Sequence, residues 1–369
     1  MGNMFDYLEW RGDLTFDSAP FNEVDSLLFS WLVYVAFDGI VPESQTEQPI
    51  RIKEAAQLFF RTHDLERILK ETLSCTRNSA QLLKDMAESK RFSDVRLTGF
   101  VNRIDYEKET QFSAMTFRFG DHQTYVAFRG TDDTLIGWKE DFNMSFLSTV
   151  PAQVMAKEYL EEAARHNAGT LYVGGHSKGG NLAVYAGVTV SEPVRKRIER
   201  IYNNDGPGFA DLERLEPIYS EMLPKVETYV PQASIVGMLL EREGDYVVVQ
   251  STAWGLHQHD ASSWQISGDH FVTVAALSET SRLITDTLRE WLTHISTEQR
   301  EHFVEVLYGI LETTQAKTTE ELNAEKRLVA NTVLKNYGNL DKETKTMLSK
   351  AVRALFKAGN QAIRTKKTI

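Results

Sequence analysis

The segment Gly174-Gly175-His176-Ser177-Lys178-Gly179-Gly180 constrains the fold more than any other part of the chain. An apolar run, Leu171-Tyr172-Val173, leads into it, and a helical stretch from Asn181 leads out. Within it, Gly175-x-Ser177-x-Gly179 has the spacing of a nucleophile elbow. In such an elbow the serine sits on a sharp, strained turn between a strand and a helix. Glycines two residues to either side let the turn pack without a clash, and the turn lifts the hydroxyl above the sheet. Three fixed positions in five residues recur by chance. The strand before and the helix after give this one weight over a glycine-rich turn without chemistry. The N–H of Lys178 follows the serine at the helix start and is placed to donate to an oxyanion. Its side chain reads as a solvated surface group. His176 adjoins the serine, and neighbours on such a turn point apart, so it is a poor base.

The rest of the chain supplies elements around this turn. Residues 20 to 90 read as helical, with a second periodic run from Ile50 to Met86. Arg96 to Tyr106 and Thr110 to Phe119 read as a hairpin across Glu107-Lys108-Glu109. Further strands are expected at Thr124 to Phe128, Thr170 to Val173, Ile198 to Asn203, Val226 to Val230 and Tyr246 to Val249. Helices are expected at Pro151 to His166 and Asn181 to Val188. Strands separated by helices predict an α/β fold, with a mostly parallel central sheet flanked by helices. After residue 270 the pattern is helical: Phe271 to Ile295, Ser296 to Leu311 with a capping box from Ser296 to Gln299, Thr319 to Tyr337 and Lys342 to Lys357. The expected division is therefore a domain over 1–270, helical in 1–90, and a helical extension over 271–369.

The bulk numbers narrow the function classes. A net charge of −11 argues against a dedicated nucleic-acid binder. The most apolar run, Ser26 to Phe37, is shorter than the roughly 20 residues that span a bilayer, and reads as a buried helix. Met1 to Phe16 carries Asp6, Glu9 and Asp13 and lacks the marks of a signal peptide. Cys75 is the only cysteine, so no internal disulfide can form. A cytoplasmic location is expected. From Asp341 onward, eight Lys or Arg face two Asp or Glu, which reads as a solvated basic tail or a contact for an anionic surface. No metal site or cofactor is expected, since HExxH, cysteine clusters and the phosphate-loop spacing are missing.

Upstream of the elbow, Val126-Ala127-Phe128-Arg129-Gly130-Thr131 is followed by Trp138 and Asp141. A strand ending in F-R-G-T, then tryptophan and aspartate, then an elbow about 45 residues later, resembles the class 3 lipases, which are α/β-hydrolases. The resemblance implies that Thr131 supplies an oxyanion donor; the alternative is that it caps a turn. Asp141 is available to pair with Arg129. The chain is similar also to an uncharacterised bacterial branch of lipase-like α/β-hydrolases, a domain of unknown function. The marks of that branch here are DYLEWRGDLTF, FNEVDSLL, GGHSKGGNLAVYA, NNDGPGF, VPQASIVGMLL and QHDASSW. They cover roughly residues 5 to 270 and imply a fold and a triad, without a substrate.

The fold's chain order is serine, acid, histidine. That order leaves His257, His259, His270, His294 and His302 as bases. The base belongs on the loop past Val249, where His257 and His259 sit. The resemblance favours His259, in Gln258-His259-Asp260, with His257 as the alternative and His270 an outsider. Asp260 is expected to position the loop. For the acid, class 3 lipases use an aspartate after the next-to-last strand, where this chain has Ser234. One strand earlier, Asp205 stands in Asn203-Asn204-Asp205-Gly206-Pro207-Gly208, and some hydrolases of the fold place the acid there. It is the preferred candidate; the competing reading is a turn cap.

This constellation predicts a serine acyl hydrolase of the lipase or esterase type. Its partner would be a small-molecule acyl ester or lipid, with transient membrane-surface contact possible in principle and the oligomeric state open. The alternative from another class is an inactive binding or scaffold protein that keeps the fold. A third reading makes the C-terminal helices a lid or a partner-binding module.

Overall fold

The computed structural model describes residues 1–71, 74–293, 296–314, 316–318 and isolated positions 321, 342, 345, 346 and 349. The chain opens with helices α1 (Met4–Arg11) and α2 (Glu23–Leu32). Each starts at an asparagine, Asn3 or Asn22, that accepts from the backbone of the first turn, while the Asp three residues on returns a bond to the asparagine N–H. A short strand β1 (Ile50–Arg51) leads into α3 (Ile52–Thr62), α4 (Leu65–Glu71) and α5 (Ser74–Glu88). The hairpin β2 (Arg96–Asp105) and β3 (Thr110–Phe119) follows, then β4 (Gln123–Phe128), α6 (Leu135–Asn143) and α7 (Pro151–His166).

From there strands and helices alternate: β5 (Thr170–His176), α8 (Lys178–Thr189), α9 (Glu192–Arg197), β6 (Ile198–Asn204), α10 (Ile218–Met222), β7 (Val226–Pro231) and β8 (Val247–Val249). Strands β9 (Ile266–Ser267) and β10 (His270–Phe271) form a separate hairpin, and α11 (Glu279–Thr293) and α12 (Thr297–Glu312) close the described chain. The capping box expected at Ser296 and Gln299 is present on α12.

Strands β1 to β8 make one sheet in sequence order. Its first three pairings are antiparallel and the four from β4 to β8 are parallel. This is the α/β-hydrolase arrangement, with the parallel half carrying the elbow at the end of β5. One face is covered by α7 and α8, whose Leu160, Ala163, Leu182 and Ala186 pack with Val126, Val173 and Ile201. The other face is covered by α2, with α5 packed against α2. Helix α2 is buried on every side, with Leu27, Leu28, Phe29 and Leu32 fully inside, so the apolar run is a core helix. Full burial of each such side chain contributes about 1.5–3 kcal/mol. Its Ser26 and Ser30 hydroxyls bond to Tyr125 Oη at 2.9 and 2.7 Å, which satisfies the polar groups this helix takes inside.

The helix expected from Phe271 begins only at Glu279. Gly268, at φ +67°, turns the chain so that His270 and Phe271 pair with Ser267 and Ile266. The next residues run beside β8, with Val274 N–H on Val248 O at 2.9 Å. The helices expected over 319–337 and 342–357 lie outside the described residues, as does His294. No helix among the described residues is long and apolar enough to cross a membrane.

Candidate active site

Strand β5 ends on His176, and Ser177 takes φ +59°, ψ −132°, a conformation that non-glycine residues rarely adopt. Ser177 stands at the start of α8 yet does not cap it, so its hydroxyl is not spent on the helix. The turn is fastened to the sheet by Ser177 N–H on Asn204 O at 2.9 Å. Both flanking glycines are required sterically. A Cβ on Gly179 would lie 2.0 Å from Phe128 O, and one on Gly175 2.3 Å from the Gly179 carbonyl carbon. The F-R-G-T strand end lies alongside: a Cβ on Gly130 would fall 2.9 Å from Ser177 Cβ. Thr131 is thereby held next to the elbow, and its hydroxyl donates to Asp141 Oδ2 at 2.6 Å.

Asp205 leaves β6 by a similar step, at φ +54°, with its N–H on Tyr229 O at 2.8 Å. Its carboxylate is fully buried. Oδ2 meets His259 Nδ1 at 2.6 Å, and Oδ1 accepts from Ser234 Oγ at 2.5 Å. Ser234 stands where the class 3 resemblance implies an aspartate, and its hydroxyl holds the carboxylate of Asp205, the candidate acid from the strand before. His259 ends a short turn, Gly255–His259. Gln258 fastens that turn by accepting from Ala233 N–H at 2.8 Å and donating to Ala253 O at 3.0 Å. Buried Trp264 donates to Gln258 O at 2.8 Å. Asp260 accepts from the Ser262 N–H and hydroxyl and so caps the next turn. Among the described residues no hydrogen bond joins Ser177 Oγ to His259. Such bonds are often long in an unliganded site and tighten on substrate binding.

The structure brings Ser177, Thr131, Asp205 and His259 into one neighbourhood. It leaves His257 exposed and sets His270 at the surface, paired with Glu23 at 2.8 Å. Two expectations are corrected. Lys178 is not a solvated group: it is 2% exposed, and its Nζ donates to Gln111 O at 2.9 Å, Gln111 Oε1 at 2.8 Å and Glu140 Oε2 at 2.9 Å. The first residue of α8 points back under the elbow, where Glu140 waits. Nor does Asp141 pair with Arg129, which reaches Asp132 at 2.9 Å instead, since that aspartate is three residues away in the same turn. Glu140 carried no sequence signal, because an acid in Lys139-Glu140-Asp141 reads as an ordinary helix surface.

Burial moves two titratable groups here. It pushes the Asp141 carboxyl up to about 6, against the opposing pull of the Lys178 ammonium and the Thr131 hydroxyl. It holds His176 well below the usual histidine range, and the nearby His259 adds to this.

Comparisons with known proteins bear on the family. Among curated proteins none matches in sequence. Among solved structures, MDLA from Penicillium cyclopium, in a mutant form, aligns over 66% of this chain and 86% of its own, at 14% identity and TM-score 0.35. The Rhizomucor miehei lipase propeptide complex aligns over 56% and 71%, at 14% identity and TM-score 0.32. The sequence model of the Mbeg1-like family matches residues 86–309. That span runs from the end of α5 to α12 and takes in the elbow, Asp205 and the His259 loop, and with it the chain belongs to the Mbeg1-like family.

Proposed function

We propose that the protein is a serine acyl hydrolase that cleaves carboxylic esters. One observation carries the reading: the 2.6 Å bond between Asp205 and His259 beside a serine held at φ +59°. Ser177 Oγ attacks the ester carbonyl carbon while His259 Nε2 takes its proton. The carbonyl oxygen becomes an oxyanion, met by N–H groups at Lys178 and Thr131. The C–O bond to the alcohol then breaks, and His259 protonates the leaving oxygen. Water attacks the acyl-serine in the same way, and the acid leaves. Asp205 keeps the proton on Nδ1 and stabilises the imidazolium. Trp254 and Leu256, 49% and 65% exposed on the histidine loop, support a substrate with an apolar acyl part, such as a lipid ester.

A fluorophosphonate probe tests the reading directly. The folded wild type is expected to label on Ser177, and Ser177→Ala to lose both labelling and ester hydrolysis. A folded wild type that neither labels nor cleaves any member of a chain-length series of esters would leave the inactive-scaffold alternative standing. Within the active outcome, the same series ranks acyl length.

A further inference from the structure

The ammonium of Lys178 has three protons and three acceptors, the two oxygens of Gln111 and Glu140 Oε2. Glu140 is fully buried and gathers more than this cation. Its Oε2 accepts from Gln111 N–H at 3.1 Å, and its Oε1 from Thr110 Oγ1 at 2.9 Å and Ala152 N–H at 3.0 Å. One carboxylate therefore ties the start of β3, helix α6, the start of α7 and the residue after Ser177. The next residue of α6, Asp141, holds the Thr131 hydroxyl. Two successive residues of one helix thus hold Lys178 and Thr131, the two residues proposed above to meet the oxyanion.

Stability does not explain an ion pair in this place. A buried pair is often no better for folding than apolar side chains of equal volume, because desolvation offsets the attraction. What the pair adds is direction. Three fixed acceptors fix where the Lys178 side chain runs, and that restrains the Cα from which its peptide N–H is set. Direction matters because an oxyanion donor has to lie about 2.7–3.1 Å from the developing charge.

We propose that Lys178 and Glu140 are positioning residues, a buried pin that holds the Lys178 peptide N–H at the spacing from Thr131 that the oxyanion requires. The inference rests on the serine-hydrolase reading above. Its test measures kcat and KM for a short-chain p-nitrophenyl ester, with active sites counted by fluorophosphonate titration and folding followed by thermal melting. In Lys178→Met, kcat per active site is expected to fall about 30-fold, short of the roughly 100-fold or more for complete loss of a donor, with KM within about twofold. Lys178→Arg, which keeps donors toward Glu140, is expected to recover part of the loss. If Lys178→Met does not fold, Lys178→Met/Glu140→Gln, which strands no buried charge, is read in the same way. A folded variant whose titrated kcat stays within about twofold of wild type overturns the pin while leaving the hydrolase intact. A wild type without labelling or turnover overturns both.

Discussion

His176 Nε2 lies 2.8 Å from the backbone carbonyl of His259. A carbonyl only accepts, so the His176 proton sits on Nε2, and Nδ1 is left to accept from Tyr34 Oη at 3.3 Å. The residue before the candidate nucleophile therefore anchors the loop that carries the candidate base, with the two rings 4.6 Å apart. His176→Leu removes that anchor and leaves the His259 carbonyl without its donor, which should cost about 1 kcal/mol. The pH dependence has a definite sign. The His176 pKa is depressed in the folded state, so its contribution is fully present above about 6.5 and is lost as pH falls below that. Urea midpoints at pH 5 and pH 7.5 should therefore differ less in His176→Leu than in wild type.

The Asp205–His259 bond gives the sharpest kinetic prediction. Asp205→Asn keeps the shape but loses the charge that orients Nδ1–H, and kcat should fall about 10³- to 10⁴-fold with the fold retained. Ser234→Ala removes only the hydroxyl that steadies Asp205 Oδ1, and a loss of about tenfold is expected. Steady-state kinetics on one ester settle the order; equal losses would mean that Ser234 acts on substrate directly.

Asp141 should appear in the pH–rate profile. Above about pH 6 its carboxylate accepts a hydrogen bond from the Thr131 hydroxyl, and below that the protonated carboxyl can donate to Thr131 instead. The arrangement beside Ser177 thus changes near pH 6, and kcat/KM should show an inflection there that Asp141→Asn removes. Its stability effect runs opposite to that of His176. The folded pKa is raised, so the contribution is full below about 3.8 and is lost as pH rises through about 6. Asp141→Asn should accordingly raise the melting temperature more at pH 8 than at pH 4.

Away from the site, Arg91 and Asp25 form a fully buried two-bond pair, Nε to Oδ1 at 2.9 Å and Nη2 to Oδ2 at 2.5 Å, joined by Tyr7 Oη at 2.9 Å. Arg91 also caps the carbonyls of Leu14, Ala19 and Pro20, which fixes the chain between α1 and α2. Arg91→Met leaves Asp25 buried without its cation and should cost about 3–5 kcal/mol in urea unfolding. The double variant Asp25→Asn/Arg91→Met should cost less than the single one.

Much of the site was legible because its constraints are local. The elbow glycines are needed where a Cβ would strike Phe128 O, and such needs show directly as spacing. The parallel half of the sheet was legible for a similar reason, since a helix between two strands dictates a parallel pairing. Long-range polar partners were not legible. Lys178 meets Gln111 and Glu140 across gaps of 67 and 38 residues, and nothing near it in sequence announces a buried cation. Ser234 was visible as a departure, but its hydrogen bond to the acid of the neighbouring strand was not. The strand after Gly268 failed as a helix because a pairing outside its own segment claimed its backbone.

The conformation of Ser177 has a consequence for how this chain is kept as it is. A side chain at φ +59° carries strain of roughly 1–3 kcal/mol that glycine would not. Ser177→Gly should therefore melt later than wild type while losing the nucleophile. A sequence optimised for endurance alone would have a fifth glycine at the centre of Gly174-Gly175-His176-Ser177-Lys178-Gly179-Gly180, so the serine marks a demand on this chain that folding does not make.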